Sequence, residues 1–242
     1  SGEAARRYLR RELELLEVEL EAFSGASIED QGLRRSIRLY NESRRLMGDL
    51  DRIRAGNPNF LSAGQMTDVV LASSFLPREE HTRLLQALFA PPSDPEGRAA
   101  PSGGQGPVRL FLTGIMARPV AICTVLEEIG VWVVGDDLGL GSLYCSLKIP
   151  ETGSPRMDLA EGYLRYPPCS TQYPSSPGRA AALIDRVRET GAEGVLILAT
   201  KFCEPEFFDH PQLKEDLETA GVPSVLIETE LGMTAPGAVR TR

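Results

Sequence analysis

The chain has 242 residues, of which 42% are hydrophobic and 25% charged, as expected for a globular protein with a substantial core. Its net charge of −8, without clusters of basic and aromatic residues, argues against nucleic-acid binding. No apolar run approaches the ~18 residues that a membrane span needs. The four cysteines are widely spaced, with no CxxC pair, and we expect no signal peptide. We therefore expect a reducing, cytoplasmic compartment rather than a disulfide framework.

The amino-terminal third of the chain is predicted to be helical. Apolar residues three or four positions apart, separated by start and stop signals, predict four helices over 3–23, 27–53, 62–71 and 77–88. Capping boxes at Ser27 with Asp30, and at Ser62 with Gln65, would begin the second and third helices. His81 lies in the fourth helix. A surface or packing role is favoured for it, because no second ligand or catalytic partner stands at a suitable spacing.

A proline- and glycine-rich segment divides the chain. Residues 91–107 contain five prolines and four glycines, a composition typical of a linker or a long surface loop. We therefore predict a helical region over 1–90 and a separate domain over 108–242. In the second region, predicted strands (108–113, 131–134, 195–200, 224–227) alternate with predicted helices (119–129, 158–166, 179–190, 212–220). This alternation predicts an α/β fold whose four-stranded parallel sheet is covered by helices on both faces.

The loops that leave the predicted strands are where we expect a site, because ligands bind at the carboxyl ends of parallel strands. The candidate residues after the second and third strands are Asp136, Asp137, Gly141, Ser142, Tyr144, Lys201 and Cys203. A cysteine in such a loop is a candidate nucleophile, redox thiol or metal ligand, with a buried structural cysteine as the alternative. The two aspartates could bind a divalent cation, although such a pair more often hydrogen-bonds its turn and caps the next helix.

Other familiar sites are not supported by the sequence. Gly139 and Gly141 lack the GxGxxG spacing after the first strand, and GxxxxGK[ST] does not occur, so we predict neither a dinucleotide fingerprint nor a P-loop. Cys123 is expected to lie in the core, whereas Cys145 and Cys169 carry no assigned role. A dyad of Cys203 with His210, seven residues further on, has no other support in the sequence.

Several short segments, in matching order over essentially the whole chain, resemble one family. They are YNESRRLM (40–47), LPREEH (76–81), VGDDLGLGSLY (134–144), PCSTQY (168–173) followed by Arg179, KFCEPEFFD (201–209) and the closing TR (241–242). These resemble the YNENRRLL, LPxEEH, VxDDLCTGSRY, PCPTKY, KFCDPYxxD and TR segments of the 2-hydroxyacyl-CoA dehydratase D-component family. That family also contains the class I benzoyl-CoA reductase subunits.

The resemblance implies a specific chemistry. Family members are cytoplasmic, oxygen-sensitive subunits that pair with a homologous second subunit, and each such subunit holds a 4Fe–4S cluster through three cysteines. An ATP-hydrolysing iron–sulfur activator supplies a low-potential electron. The pair then acts on an acyl-CoA substrate through a ketyl radical, either eliminating water or reducing an aromatic ring. The third cysteine ligand of the family matches Cys203 here.

The chain also departs from the family pattern. Gly139 replaces a frequent cysteine of the DDLCTG loop, which is not one of the usual cluster ligands, and Leu143 replaces an arginine, so an anionic contact from this loop is not expected. Because the chain starts in helical sequence without a methionine, we expect it to be incomplete. The resemblance implies that the missing part is an amino-terminal α/β domain, which carries the two other ligands in the family. The alternatives to a cluster enzyme are a non-catalytic paralogue that acts as a scaffold or pairing subunit, and an α/β domain with a redox thiol.

Overall fold

A computed structural model describes residues 2–57, 60–89, 107–115, 120–171 and 178–230. Four strands, β1 (Val108–Thr113), β2 (Val131–Asp136), β3 (Gly194–Thr200) and β4 (Ser224–Thr229), form an all-parallel sheet in the order β2-β1-β3-β4. The helices of the described residues are α1 (Glu3–Ser24), α2 (Asp30–Gly56), α3 (Ala63–Ala72), α4 (Arg78–Leu88), α5 (Val120–Glu128), α6 (Ser142–Ser146), α7 (Pro155–Leu164), α8 (Gly178–Thr190) and α9 (Glu204–Thr219). The predicted α/β class is therefore confirmed.

The two central strands are β1 and β3, and all seven residues of β3 are buried. A strand in the middle of a parallel sheet has neighbours on both sides and helices on both faces. Its sequence is therefore a continuous apolar run rather than an alternation of apolar and polar residues. The register of β3 with β4 runs from Val195–Ser224 to Thr200–Thr229, so both strands end together. The carboxyl ends of the four strands consequently share one edge of the sheet.

Each face of the sheet has its own core. On one face, α5 packs Ile122 and Leu126 against Leu112, Leu196 and Leu198 of the strands. On the other face, α8 and α9 cover the strands, and the buried residues there are Phe111, Ala180, Leu183, Val187, Val195, Ile197, Leu213, Leu217 and Val222. The predicted helical cover on both faces is present, and it leaves the carboxyl edge as the open side of the sheet.

The amino-terminal helices pack beside the sheet around a third cluster. Residues of α2, α3 and α4 form it, and Tyr144 and Cys145 of α6 pack against it. The buried Arg54 of α2 links the layers, because its Nη1 donates to the carbonyl of Val133 in β2 at 2.5 Å. The division into a helical region over 1–90 and a domain over 108–242 stays a prediction. Most of the segment 91–107, the end of PCSTQY (172–173) and the closing TR (241–242) lie outside the described residues.

The structure corrects two predicted helix starts. The predicted helix start near Pro211 is wrong, because α9 begins at Glu204 and contains Pro211. Pro205 occupies the first turn, where a missing N–H is tolerated, whereas Pro211 lies inside the helix. The Ser27–Asp30 capping box is also wrong: α2 begins at Asp30, and its N-cap residue, Glu29, makes no side-chain capping bond.

Other signals are confirmed. Ser62 accepts from the backbone N–H of Gln65, whose side chain accepts from the N–H of Ser62, and this reciprocal pair forms the predicted capping box of α3. Gly25 ends α1 in the left-handed conformation, at φ 69°. In the described part of the chain, no helix has the length and apolarity that a membrane crossing requires.

Candidate functional site

A cavity of about 300 Å³ opens at the carboxyl edge of the sheet. Its polar lining includes Asp137 after β2, Ser142 at the start of α6, and Arg179 and Arg186 of α8. Apolar and thiol side chains, among them Leu143, Leu183 and Cys145, complete the wall. Two of the predicted site residues, Asp137 and Ser142, are therefore brought together here with two arginines. The cavity therefore combines a mainly apolar wall with side chains of both positive and negative charge, as ligand pockets often do.

The turn between β2 and α6 is organised by Asp136. Its Oδ1 accepts from the backbone N–H groups of Leu138 at 3.1 Å and Ser142 at 2.8 Å, and its carbonyl accepts from the Ser142 hydroxyl. Gly141 is required because a Cβ there would lie 2.1 Å from the Asp136 Oδ1. Asp136 thus acts as the hydrogen-bonding acid of its turn, which was one of the two roles considered for the aspartate pair.

Burial and a like charge set the protonation of Asp136. Desolvation and the neighbouring Asp51 carboxylate raise its pKa to about 6, while Arg54 opposes the shift. Arg54 is 1% exposed and already pairs with Asp51 at 2.6 Å. One guanidinium therefore serves two carboxylates, which is why Asp136 remains easier to protonate than a surface aspartate.

Asp137 is the more available of the two acids. Burial raises its pKa, while the nearby Arg179 and a hydrogen bond with the Thr113 side chain act in the opposite direction. Its Oδ1 is buried and has no hydrogen-bond partner among the described residues. A buried carboxyl oxygen without a partner is costly, so it is suited to accept a hydrogen bond or a proton from a bound molecule.

A buried ion network lies beside this acid. Arg179, 5% exposed, pairs with Glu206 at 3.2 Å and with Asp209, and it also donates to Thr113. Glu206, which is 2% exposed, in addition accepts from the hydroxyl of Ser170. The network joins the ends of β1 and β2 to the first turns of α8 and α9. It fixes the helix that follows Cys203 relative to the cavity.

Cys203 lies at the N-cap position of α9, directly after β3. Its N–H donates to the carbonyl of Thr200 at 2.9 Å, its carbonyl accepts from the N–H of Glu206 at 3.1 Å, and the residue is half-buried. Phe202 before it has φ 66°, the one non-glycine residue with positive φ in the described chain, and its ring is 96% exposed. A bulky residue in this conformation is strained, and such strain collects at functional turns.

The other cysteines are less suited to ligate a metal. Burial raises the pKa of Cys123 to about 12 and also raises the pKa of Cys145, which keeps both thiols protonated. Cys169 is buried, and its Sγ lies 3.1 Å from the Thr171 hydroxyl. Among the described residues, three His, Cys, Asp or Glu side chains never come together in a group that could hold a metal ion. The described residues alone therefore do not fit a 4Fe–4S cluster, which normally needs three or four protein ligands.

Other predicted features lie away from this cavity. Lys201 is exposed and pairs with Glu230. Tyr144 faces the amino-terminal helices, where its hydroxyl accepts from Arg78 at 3.1 Å. The dyad of Cys203 and His210, which the sequence did not support, gains no support from the structure, because seven positions separate the two by about 10 Å along α9. His81 is buried, with its ring nitrogens near the Ser43 hydroxyl and the Val69 carbonyl, as a packing residue.

Sequence reasoning assigned no role to five residues that line the cavity or belong to the ion network beside it: Arg186, Glu206, Asp209, Thr113 and Ser170. Glu206 and Asp209 are three positions apart, so they would share one helical face once α9 is started at Glu204. That spacing is the signal that could have found them. Arg179 was visible only as part of a short motif, since its ion partners follow it by 27 and 30 positions.

Comparison with known proteins gives one consistent family. The family model described as 2-hydroxyglutaryl-CoA dehydratase, D-component, matches residues 1–242. The beta subunit of (R)-phenyllactyl-CoA dehydratase from Clostridium sporogenes is 31% identical over 239 residues, covering 99% of this chain and 62% of the relative. The beta subunit of lactoyl-CoA dehydratase from Anaerotignum propionicum is 30% identical over 241 residues, covering 99% and 63%. A benzoyl-CoA reductase subunit from Thauera aromatica is 27% identical over 222 residues, covering 90% and 56%. The chain thus spans about three fifths of the length of these relatives.

Proposed function

The chain belongs to the 2-hydroxyglutaryl-CoA dehydratase D-component family, and we propose that it is part of a subunit of an enzyme acting on acyl-CoA thioesters. The reaction would be loss of water from a 2-hydroxyacyl-CoA, or reduction of an aromatic acyl-CoA. The names of the relatives support both classes of reaction. The observation that carries the proposal is the carboxyl edge of the sheet. There the half-buried Cys203 stands one helical turn from Glu206, whose partner Arg179 lines the cavity.

Cys203 is proposed as one ligand of a 4Fe–4S cluster. Its place at the start of α9 supports this, because it puts the cysteine in the loop that leaves β3 at the carboxyl edge of the sheet. The remaining ligands would come from outside the described residues. When bound, such a cluster supplies single electrons at low potential. We further propose a cytoplasmic location, a homologous second subunit as partner, and an ATP-dependent iron–sulfur activator as the source of electrons.

The chain's own residues would bind and orient the thioester. Asp137 is proposed to hold or move a proton at its unpartnered Oδ1, since a buried carboxyl with a raised pKa is suited to acid–base work. Arg186 would keep the Ser142 hydroxyl in place, because its Nη1 donates to it at 2.8 Å. The network of Arg179 with Glu206 and Asp209 would hold α9, and with it Cys203, at a fixed distance from the cavity.

The test is an assay of the full-length protein purified without oxygen together with its partner subunit. With activator and ATP, it should remove water from a panel of 2-hydroxyacyl-CoA esters or reduce benzoyl-CoA. Cys203→Ala should abolish this activity, whereas Cys123→Ala, a change in the core at a similar thiol, should retain it. Activity that survives Cys203→Ala at the wild-type rate would remove Cys203 from the proposal.

The two alternatives predict different outcomes. A scaffold or pairing subunit would bind its partner but contain neither iron nor acid-labile sulfide. An α/β domain with a redox thiol would be alkylated at Cys203 by iodoacetamide, and its reactivity would not depend on iron. Either result, together with inactivity towards all acyl-CoA esters tested, would favour that alternative over the proposed enzyme.

A further inference from the structure

Two buried arginines in the helical layer have no carboxylate partner among the described residues. Arg44 of α2 and Arg78 of α4 are each 9% exposed, and the Nε of each is buried without a hydrogen-bond acceptor in the described part of the chain. The groups there that accept from Arg78 are neutral, namely the Ser43 hydroxyl at 3.2 Å, the Ser73 carbonyl at 2.8 Å and the Tyr144 hydroxyl. Buried charges are normally paired, so two uncompensated guanidinium groups point to an anion.

Aromatic rings hold these cations in place. The Arg44 guanidinium lies 5.5 Å from the centre of the Tyr40 ring and 5.4 Å from that of Tyr144. The Arg78 guanidinium lies 4.3 Å from the Tyr40 ring. Cation–π contacts of this kind offset only part of the cost of burying a charge. Arg44 is therefore held in a fixed position while its charge remains largely uncompensated.

Arg44 lines a cavity of about 380 Å³ that is rich in positive charge. Four cationic side chains, Arg38, Arg44, Arg45 and Lys148, face two carboxylates there, in a chain whose net charge is −8. Both carboxylates are already engaged. Arg45 holds Glu42 through bonds of 2.8 and 2.7 Å, and the Asn41 amide donates to Glu151 at 3.1 Å.

Two exposed cations at the rim of this cavity differ from Arg45, because they are not held in ion pairs by the described residues. For Arg38 and Lys148, the described residues provide no ion-pair partner, and both side chains line the cavity. Arg45 pairs with Asp49 at 2.6 Å as well as with Glu42, so the cations left to meet a phosphate are Arg38, Arg44 and Lys148. An arginine fork and a lysine are the side chains that most often bind phosphate oxygens.

We propose that this basic cavity, lined by Arg38, Arg44, Arg45 and Lys148, is a phosphate-binding site. Cys145 and Ser146 of α6 line both this cavity and the cavity at the carboxyl edge. A ligand with a phosphorylated tail bound here could pass α6 and reach Asp137. The binding of phosphate stands independently of the proposed enzyme. Only the identity of the tail, as the nucleotide part of a thioester carrier, rests on the proposed function.

The test is calorimetric titration of the full-length protein with inorganic pyrophosphate and, separately, with adenosine 3′,5′-bisphosphate. Arg44→Met should weaken binding about tenfold or more, because a charge-assisted hydrogen bond is lost. Since Arg44→Met could disturb packing between the two tyrosine rings, the exposed pair Arg38→Gln and Lys148→Gln is tested as well. That double variant should also weaken binding, and added salt should reduce the difference from wild type.

Arg35→Gln is the matched control, because Arg35 is an exposed residue of α2 that does not line the cavity. It should bind pyrophosphate as the wild type does. Tighter binding of the nucleotide than of pyrophosphate identifies a phosphorylated tail as the source, and equal binding identifies free phosphate. The proposal is overturned if the wild type binds neither probe, or if all variants bind equally. Iron content should be unchanged in Arg44→Met, so failure here is distinguishable from failure of the Cys203 assignment.

Discussion

Asp136 shows how one residue couples the stability of the edge turn to pH. Its folded-state pKa of about 6 lies above the ordinary value of 3.8, because burial and the Asp51 carboxylate disfavour the charged form. The folded protein therefore binds more protons than the unfolded chain between pH 4 and 6. It follows that this residue makes the free energy of unfolding fall as the pH rises through that window.

Asp136→Asn should remove this dependence. An amide oxygen can still accept from the N–H groups of Leu138 and Ser142, while the buried charge is gone. We expect the variant to gain about 1–3 kcal/mol over wild type at pH 7, and the gain to vanish near pH 4. Urea unfolding at several pH values measures it, with the exposed Asp68→Asn as baseline. A gain that does not change with pH would contradict the account.

A substitution of Asp137 tests its catalytic role without removing a proposed cluster ligand. If its unpartnered Oδ1 handles a proton during turnover, Asp137→Asn should slow the reaction about 10²–10⁴-fold, the usual range for a general acid or base. Iron content should stay at the wild-type level, because the residue is not a proposed ligand. Turnover of the activated complex and iron per chain are measured together. Wild-type turnover in the variant would exclude this role.

Arg179 is the charge that holds the edge network together. Without it, the buried carboxylate of Glu206 and the partly buried ones of Asp209 and Asp137 would lose a guanidinium that stabilises their charged forms. We expect Arg179→Met to lower the free energy of unfolding by about 3–5 kcal/mol. The matched change Arg83→Met, at an exposed arginine 3.9 Å from Glu80, should cost less than about 1 kcal/mol. Similar losses in both variants would show that the network contributes little.

At the scale of elements, the end of β1 depends on a close approach to β3. Gly114 has φ 142°, and a Cβ there would lie 2.2 Å from the carbonyl oxygen of Leu198. Gly130, which precedes β2, also has positive φ, at 80°, but a Cβ there would have no neighbour within 4 Å. Both positions need glycine for conformation, and only Gly114 needs it for space.

This difference predicts unequal alanine variants. Gly130→Ala should cost about 1–2 kcal/mol, the usual penalty of a left-handed alanine. Gly114→Ala should cost more than about 3 kcal/mol, since β1 and β3 would have to separate at the edge that carries the site. Thermal and urea unfolding of the two variants compare them directly. Equal costs would mean that the strands can move apart without penalty.

Elements were predictable wherever the signal was local. The apolar run of β3 and the capping box at Ser62 depend on residues within a few positions, and both are observed as expected. The start of α9 was not predictable in the same way, because Pro205 is compatible with a loop and with the first turn of a helix alike. Pro211 lies inside α9, where a proline usually ends or kinks a helix, so its presence favoured a later start. Only the packing of Leu213 and Leu217 against the sheet decides in favour of a continuous helix.

At the scale of the whole molecule, the site was predictable in part. Parallel strands bring their carboxyl ends to one edge, and that rule alone selected Asp136, Asp137, Ser142 and Cys203. The rule could not show that Tyr144 turns towards the helices, where it packs with α2 and α4. The stack of Arg44 and Arg78 on the tyrosines joins residues up to 100 positions apart, which no local pattern reveals.

The most direct test of the whole account is the amount of iron and acid-labile sulfide in the full-length protein purified without oxygen. We predict iron and sulfide in the wild type and in Cys123→Ala, with a broad absorption in the violet. In Cys203→Ala, both should be lost or strongly reduced, while far-ultraviolet circular dichroism remains that of the folded helices and sheet. Unchanged iron in Cys203→Ala would contradict the assignment of this residue as a cluster ligand.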